Sequence, residues 1–344
     1  MIHILFLIII SLAVYFSNLF FIKKKFLLNS TGDPHQSFTS KKKTTLSGGI
    51  FLILAFIILS EINLINKLIF ILFYLIGFFS DLKIFKSPII KLISQILLIL
   101  IFILKNNLFL ENTRVIFLDY LLNYELFNII FVIFCITIII NGTNFIDGVN
   151  CNVIGYYLII SLILYYLNLF DEFNSNIIYF RYWVFVLLLL YILNFTNKLY
   201  LGDNGSYFLG FIYSYSLINI YLSNQNLSPF FIILLLWYPA FENLFSLLRK
   251  INFNKSPLKP DQNHFHQLLF FFIKKKKIAN EKFINSITGN IILTYNLCIF
   301  LFACINPFNT QYQILLIVLN ISIYSFIYIN LFKFKYKKII KTRL

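Results

Sequence analysis

Charged residues are scarce in this sequence. Asp, Glu, Lys and Arg make up only 12% of its 344 residues, about half of their usual share in soluble domains. Acids are especially few, with 13 Asp and Glu against 29 Lys and Arg, and 60% of the residues are hydrophobic. The mean hydropathy of +0.83 excludes an ordinary soluble domain. Apolar runs near the bilayer-spanning length recur from end to end, so the sequence predicts an all-α polytopic integral membrane protein.

The sequence also lacks two features that are common in metal-binding and exported proteins. Its four cysteines have no spacing that is typical of a metal site, and they give no indication of the redox compartment. They are Cys135, Cys151, Cys298 and Cys304. No basic residue precedes the first apolar run, and no small-residue cleavage site follows it. We therefore interpret this run as a retained first span rather than a cleaved signal peptide.

Eleven apolar segments are predicted to cross the membrane. They are residues 2–22, 46–64, 67–80, 89–104, 127–145, 153–169, 179–196, 205–222, 229–248, 288–305 and 312–332. Of the 29 Lys and Arg residues, 25 fall in alternate loops and the C-terminal tail, and the other four are Lys67, Lys105, Arg114 and Arg181. Because basic residues accumulate on the cytoplasmic side, this bias predicts that the N-terminus is outside and the C-terminus cytoplasmic. It also explains the net charge of +16 without a nucleic-acid partner.

Unusual polar residues are concentrated in the loops on the predicted cytoplasmic side. We expect residues 1–344 to form a single transmembrane domain, with a site built from five of these loops and a basic tail at the end. The loops are residues 23–45, 81–88, 146–152, 197–204 and 249–285, and the tail is residues 333–344. A random scatter would divide such residues between both faces, so their placement favours one shared site.

The segment 198–210 carries the clearest of these signals. Asp203 lies between Gly202 and Gly205, before a long apolar run. A carboxylate at a membrane boundary is costly unless it has a partner. Gly205 and Ser206 are predicted to open a helix whose first N–H groups are free to face an anion, and an acid beside them indicates Mg²⁺ bridged to phosphate oxygens. The alternative is a capped transmembrane turn in which Asp203 is a solvated end residue.

Two further loops place polar groups at helix ends. Asn141, Asn144 and Asp147 follow spacings of three, which align them on one side of a helix end, as suits a metal or a polar ligand. Otherwise they are helix-end polarity followed by a glycine cap. Asp81 lies at the end of a predicted apolar helix, where it either contributes to the site or belongs only to a structural turn between two spans. The glycine pair at residues 48–49 indicates either close helix packing or close approach of the backbone to a ligand.

The longest predicted cytoplasmic loop contains two histidines. His264 and His266 could bind Zn²⁺, but no cysteine or third histidine lies nearby in the sequence to complete such a site. Their basic surroundings favour contact with a phosphate or pyrophosphate. Three phenylalanines followed by four lysines, within residues 270–277, are typical of an interfacial anchor on anionic lipid.

Taken together, these motifs resemble the polyprenyl-phosphate N-acetylhexosamine-1-phosphate transferases, a superfamily that includes the phospho-MurNAc-pentapeptide translocases. The resemblance covers roughly residues 30 to 270. It lies in Asp33-Pro34, Gly48-Gly49, Asp81 with Ser87-Pro88, Asn141-x-x-Asn144-x-x-Asp147-Gly148, Asn194, Gly202-Asp203-x-Gly205-Ser206, and Pro260-Asp261 before His264-x-His266. The His-x-His form looks more like the branch that transfers GlcNAc-1-phosphate.

The resemblance implies an activity and roles for individual residues. Such enzymes transfer a phospho-N-acetylhexosamine from a UDP-sugar to a polyprenyl phosphate, such as undecaprenyl phosphate, with Mg²⁺ or alternatively Mn²⁺. This would initiate cell-envelope polysaccharide synthesis on the cytoplasmic face of the inner membrane. The resemblance is also compatible with a homodimer of this chain. The implied catalytic residues are Asp81, Asp147, Asp203, His264 and His266, with Asp203 and Asn144 at the metal. The implied substrate-binding residues are Asp33, Lys43, Asn141, Asp147, Asn194, Gly205, Ser206, Asp261, His264 and His266.

The sequence departs from the family pattern at several positions. Ser80 precedes Asp81 where the family usually has paired aspartates, and Asn150 stands where it usually has another acid. Glu242 replaces a usual Asp and Gln267 a usual polar His. Because of these changes, a catalytically inactive homologue of the transferase is one alternative hypothesis. A membrane transporter is the alternative from another class, but transporters often show internal repeats, and this sequence shows none. Metal-dependent release of UMP from UDP-GlcNAc would separate the transferase from both.

Overall fold

The computed structural model describes residues 2–25, 27–28, 44–170, 179–254, 256 and 261–341, with side chains from residue 11 to residue 336. Of the predicted site residues, Asp33 and Lys43 lie outside this part of the chain. The described residues form fourteen helices and, apart from isolated bridges at Thr45, no β-structure. The helices are α1 (Ile2–Lys24), α2 (Gly48–Leu59), α3 (Leu64–Asp81), α4 (Pro88–Asn106), α5 (Ile116–Leu122), α6 (Glu125–Ile146), α7 (Asn152–Tyr166), α8 (Phe180–Phe195), α9 (Gly202–Ser223), α10 (Pro229–Leu235), α11 (Trp237–Asn252), α12 (Phe265–Lys276), α13 (Ile284–Ile305) and α14 (Thr310–Lys341).

Every predicted apolar segment overlaps at least one of these helices, and the ninth overlaps both α10 and α11, so the all-helical prediction is confirmed. Within the described residues, five helices are long and apolar enough to cross a membrane alone, or six if a bent pair forms one span. The five are α3, α4, α6, α13 and α14, and the bent pair is α10 with α11. The count of eleven spans and the orientation of the termini therefore stay predictions.

Helix α9 lies at the centre of the bundle, where α2, α3 and α6 pack against it. Its apolar side meets a cluster of aromatic rings, in which the Phe73 and Phe211 ring centroids lie 3.9 Å apart. Several of its buried polar groups are paired; Tyr213, for example, exchanges a 2.5 Å hydrogen bond with Ser161 and accepts one from Trp183. Polar side chains are tolerated between packed membrane helices when they hydrogen-bond across the interface, which fits the more polar composition of α9.

Close backbone contacts hold the start of α9 between α2 and α3. The Gly48 N–H donates to the Tyr200 carbonyl at 3.0 Å. A Cβ atom on Gly49 would lie 1.8 Å from Asn204 Oδ1, and one on Gly77 would lie 2.4 Å from the Asn204 Cα. The glycine pair at 48–49 thus permits close packing of α2 against the segment that carries Asp203. Of the two predicted roles, close helix packing and close approach to a ligand, the structure shows the first.

The ninth predicted span is broken, and the sequence analysis did not foresee the break. Helices α10 and α11 meet at an angle of 73°. Pro239 has no N–H to donate to the Leu235 carbonyl four residues before it, which interrupts the helical hydrogen bonds at this point. The Tyr156 hydroxyl donates to that carbonyl at 2.8 Å instead. The bend directs α11 and the following loop over the end of the bundle where the acidic residues gather.

Candidate active site

A cavity of about 620 Å³ opens at one end of the bundle, where α3 and α6 end and α4 and α9 begin. The last turns of α11 and the segment 261–267 close it from the side. Nine of the predicted site residues line it, namely Asp81, Asn141, Asn144, Asp147, Asn194, Asp203, Asp261, His264 and His266. The cavity therefore brings together residues of four of the five predicted loops, namely 81–88, 146–152, 197–204 and 249–285. Their use as one shared site stays a prediction.

Gly205 and Ser206 do not line this cavity, because α9 begins at Gly202 and not at Gly205. Both residues are buried in the first turns of the helix, and the Ser206 hydroxyl donates to the Asp203 carbonyl at 3.2 Å. A Cβ on Gly205 would lie 3.1 Å from the Gly49 Cα. Their role in the structure is packing, and the prediction that they open the helix is wrong.

The first N–H groups of α9 already have an anionic partner. The Asp81 carboxylate accepts the Asp203 N–H and the Asn204 N–H, each at 3.0 Å. Gly202 permits this approach with its φ of +78°, since a Cβ there would lie 2.8 Å from Asp81 Oδ2. Asp81 therefore caps the helix in the usual manner of an acid at a helix N-terminus. The prediction that these amides are free to face a substrate anion is wrong.

Ser80 links Asp203 to a lysine that the sequence analysis did not include in the site. Its hydroxyl donates to Asp203 Oδ2 at 2.5 Å and accepts a hydrogen bond from Lys91. The Lys91 ammonium lies 3.6 Å from the same Asp203 oxygen. The position of Lys91 one turn after Pro88, and four residues before the buried Gln95, could have indicated a face of α4 that points inward.

Asp147 adds a third acid to this end of the cavity. Burial raises the pKa of its carboxyl well above the usual range, and the negative charges of Asp203 and Asp81 raise it further. Three acids that repel one another in a partly enclosed space favour the binding of a cation. Within the described residues, no three His, Cys, Asp or Glu side chains are grouped as a complete metal site. Mg²⁺ does not need one, because it commonly takes one or two carboxylates and completes its shell with water and substrate phosphate.

The amides Asn194 and Asn150 fasten loops together at the edge of the cavity. Asn194 Nδ2 donates to the Leu199 carbonyl at 2.7 Å, and its Oδ1 accepts the Cys151 N–H at 2.5 Å. Asn150 Nδ2 donates to the Asn194 carbonyl, and its Oδ1 accepts from Asn285 at 3.1 Å. An aspartate could not donate the first of these Asn150 bonds. The amide at position 150, where the family usually has an acid, is thus used within the protein.

The two histidines stand side by side at the opposite edge of the cavity, with ring centroids 5.7 Å apart and nearly parallel planes. His264 Nδ1 lies 2.9 Å from the buried Glu242, and its Nε2 lies 3.4 Å from Asp261. Burial, followed by the charge of His264, lowers the pKa of His266 to about 3. His266 is therefore a neutral group at ordinary pH. Gly148 makes room for it, since a Cβ there would lie 2.0 Å from His266 Nε2.

A second lysine reaches the cavity near these histidines. Lys250 is 4% exposed, and its ammonium lies 5.8 Å from the centre of the Phe145 ring. Arg249, the residue before it, forms a 2.9 Å ion pair with Asp261. The cavity thus has one cationic side chain at each end, Lys91 beside the acids and Lys250 beside the histidines. A smaller cavity of about 430 Å³, between α8 and α13, is lined by no acidic or basic side chain.

Comparisons with known proteins found two similarities in sequence. Residues 66–221 match the family model described as glycosyl transferase family 4, a stretch that includes Asp81, Asp147 and Asp203. A 77-residue segment is 39% identical to a Bacillus subtilis (strain 168) protein named a probable undecaprenyl-phosphate N-acetylglucosaminyl 1-phosphate transferase. The match covers 22% of this chain and 21% of the relative, so the chain matches about a fifth of that protein's length.

Proposed function

We propose that this chain, a multi-pass membrane protein that belongs to glycosyl transferase family 4, transfers a phospho-N-acetylhexosamine from a UDP-sugar to undecaprenyl phosphate. The observation that carries the proposal is the arrangement of charges along one cavity. Asp81, Asp147 and Asp203 meet at one end beside Lys91, and Lys250 lies beside the histidines at the other end. A cavity with this pattern suits two phosphorylated substrates and a divalent cation.

The reaction exchanges one phosphorus–oxygen bond for another. An oxygen of the undecaprenyl phosphate attacks the β-phosphorus of the UDP-sugar, and the bond from that phosphorus to the bridging oxygen breaks. The products are UMP and a polyprenyl diphosphate that carries the sugar. A phosphate monoester has its second pKa near 6, so at neutral pH the attacking phosphate needs no proton removed. The main demands on the protein are to bring two anions together and to stabilise the leaving phosphate.

The side chains at the acidic end suit both of these demands. Asp203, with Asn144 and Asp147 beside the same cavity, would hold Mg²⁺, or alternatively Mn²⁺. When bound, this ion screens the repulsion between the phosphates and stabilises the charge on departing UMP. Lys91 contributes a fixed positive charge at the same place, and its hydrogen bond to Ser80 orients it. Asp81 keeps the start of α9, and with it Asp203, in position.

The histidine end suits recognition of the sugar nucleotide. The neutral ring of His266 can exchange hydrogen bonds with a sugar or diphosphate oxygen without adding charge. His264 is oriented by Glu242, and the Lys250 ammonium supplies a cation for the diphosphate. This division would place the donor towards α11 and the lipid phosphate towards α4. We further propose that the site lies at the cytoplasmic face of the cell membrane and that the reaction initiates envelope polysaccharide synthesis.

The lack of an acid at position 80, where Ser80 stands, is the reason to test a second candidate, a homologue that has lost activity. If a carboxylate at position 80 were an obligatory base, the wild type would be inactive and Ser80→Asp would restore turnover. The contacts of Ser80 favour an active wild type, because its hydroxyl bridges Lys91 and Asp203. We expect an active wild type whose rate follows acceptor ionisation near pH 6 and is constant above it.

The direct test is UMP release by the purified full-length protein. The protein in detergent is given UDP-GlcNAc, undecaprenyl phosphate and Mg²⁺, and the UMP and the lipid product are measured. We expect equal amounts of both, none without the lipid, and loss of both when a chelator removes the metal. Failure of the wild type and of Ser80→Asp with UDP-GlcNAc, UDP-GalNAc and the other UDP-N-acetylhexosamines would overturn the proposal. Turnover of Ser80→Asp alone would identify an inactivated homologue.

A further inference from the structure

The long helix α14 bonds directly to the loop that carries the histidines. Its inward face presents Tyr324, Tyr328, Lys335 and Tyr336, which follow one another at helical spacing. The Tyr328 hydroxyl donates to the Asn263 carbonyl at 2.9 Å, and the Tyr336 hydroxyl donates to Asn263 Oδ1 at 2.8 Å. Lys335 donates to the Gln262 carbonyl at 2.5 Å. Residues 333–341, predicted as a basic tail, thus continue a helix, and that helix holds residues 262–263.

Tyr324 makes the most consequential of these contacts, because it reaches Glu242. The two oxygens of this buried carboxylate have different partners. Oε2 accepts the Tyr324 hydroxyl at 2.5 Å, whereas Oε1 accepts the Phe265 N–H at 3.2 Å and lies 2.9 Å from His264 Nδ1. Glu242 and Tyr324 are each 1% exposed, so water does not replace either partner.

These contacts determine how the His264 ring presents itself to the cavity. A carboxylate only accepts hydrogen bonds, so the Nδ1 atom that faces Glu242 carries a proton. The orientation of the ring depends on the orientation of Glu242, as with histidines whose second nitrogen bonds to a carboxylate. Without the Tyr324 hydroxyl, Oε2 of Glu242 would lose its hydrogen bond in a buried place, and the carboxylate would gain from turning towards another donor.

We propose that Tyr324 is a positioning residue, which acts through Glu242 to hold His264 in the geometry that binds the sugar nucleotide. Helix α14 is then part of the working site although none of its described side chains lines the cavity. The inference rests on the proposed transferase function for its kinetic consequences. Its structural consequence, the ordering of residues 261–268 by one hydroxyl group, can be measured without any activity.

The test compares Tyr324→Phe with Tyr312→Phe in the full-length protein. Tyr312 is a matched control, because it lies on the same helix and its hydroxyl also donates one hydrogen bond, to the Phe302 carbonyl at 2.9 Å, but far from the loop. We expect Tyr324→Phe to lower kcat/KM for UDP-GlcNAc by about 10–100-fold, the usual effect of losing such an orienting partner. The KM for undecaprenyl phosphate should not change, and Tyr312→Phe should match the wild type.

Two further measurements separate positioning from a loss of stability. Backbone amides of residues 261–268 should exchange hydrogen for deuterium faster in Tyr324→Phe than in Tyr312→Phe. In a double-mutant cycle with Glu242→Gln, the two losses should be less than multiplicative, because both act through one contact. Unchanged exchange, wild-type kinetics, or equal loss for both substrates would overturn the inference. An inactive wild type with faster exchange in the variant would instead overturn the transferase proposal and leave the ordering role established.

Discussion

Asp203 has the most contacts at the acidic end of the cavity. Its carboxylate accepts a hydrogen bond from Ser80 and lies beside the Lys91 ammonium, and its N–H donates to Asp81. The variant Asp203→Asn keeps the size of the side chain but removes the charge that would hold the cation. We expect turnover to fall by at least about 10³-fold, with normal membrane insertion and no recovery at raised Mg²⁺. Steady-state UMP release measures this. Turnover near the wild-type value would show that the metal is held elsewhere.

Lys91 is the residue whose contribution the sequence alone did not reveal. Replacing it by methionine keeps much of the apolar stem but removes the ammonium beside Asp203. The acids would then lack this counter-charge and the phosphates a partner, so we expect kcat to fall by about 10²–10³-fold. The control is Lys86→Met, since Lys86 is exposed in the loop that precedes α4. Equal activity of the two variants, measured side by side, would remove Lys91 from the mechanism.

At the scale of elements, the break between α10 and α11 depends on one tyrosine hydroxyl. Tyr156→Phe would leave the Leu235 carbonyl without its 2.8 Å donor in a buried position. We expect the free energy of unfolding to fall by about 1–3 kcal/mol, as measured by denaturant titration in detergent. Tyr166→Phe on the same helix is the control, because Tyr166 is 70% exposed. Equal stability of both variants would mean that the break is maintained without this hydrogen bond.

The helices were predictable because a bilayer allows the spanning backbone few alternatives to a helix, and each apolar run needs one. The bend at Leu236 was missed although Pro239 is a sequence signal for a break, because residues 229–237 are apolar throughout. The Tyr156 hydroxyl on α7, which bonds the freed carbonyl, becomes apparent only in the structure. The same holds within the site. The grouping of Asp81, Asp147 and Asp203 follows from their common position at helix ends, whereas the contacts of Lys91 and Tyr324 depend on which helices pack together.

At the scale of the whole molecule, two ends of the bundle differ in chemistry. The cavity lies at one end, and Arg114 at the other donates to the Gln225, Asn226 and Leu227 carbonyls. Lys67 and Lys105 are also exceptions to the basic bias. Lys67 lies in the first turn of α3 and Lys105 in the last turn of α4, and these two turns are joined by the hydrogen bond from Asn66 to Asn106. All three therefore belong to helix ends remote from the acidic cluster.

This separation gives a topological prediction that applies to the entire chain. A reporter fused after Lys277 or Arg343 should be cytoplasmic, and one inserted at residues 171–178 should be external, because 25 of the 29 basic residues fall on the first side. Reporter activity in intact cells measures both. Labelling of an engineered cysteine within residues 257–269 by an impermeant reagent outside the cell would contradict the topology and the site assignment together.

The bond between α14 and the histidine loop has a consequence for synthesis of the protein. The loop is translated roughly 4–15 s before the end of α14, at about 5–20 residues per second. For most of that interval the nascent chain holds every described residue that lines the cavity but lacks Tyr324, so we expect no competent donor site until α14 has inserted. Co-expression of residues 1–308 with residues 309–344 as a separate piece measures this, since turnover should require both pieces. Full turnover by the first piece alone would show that the site matures before the last helix arrives.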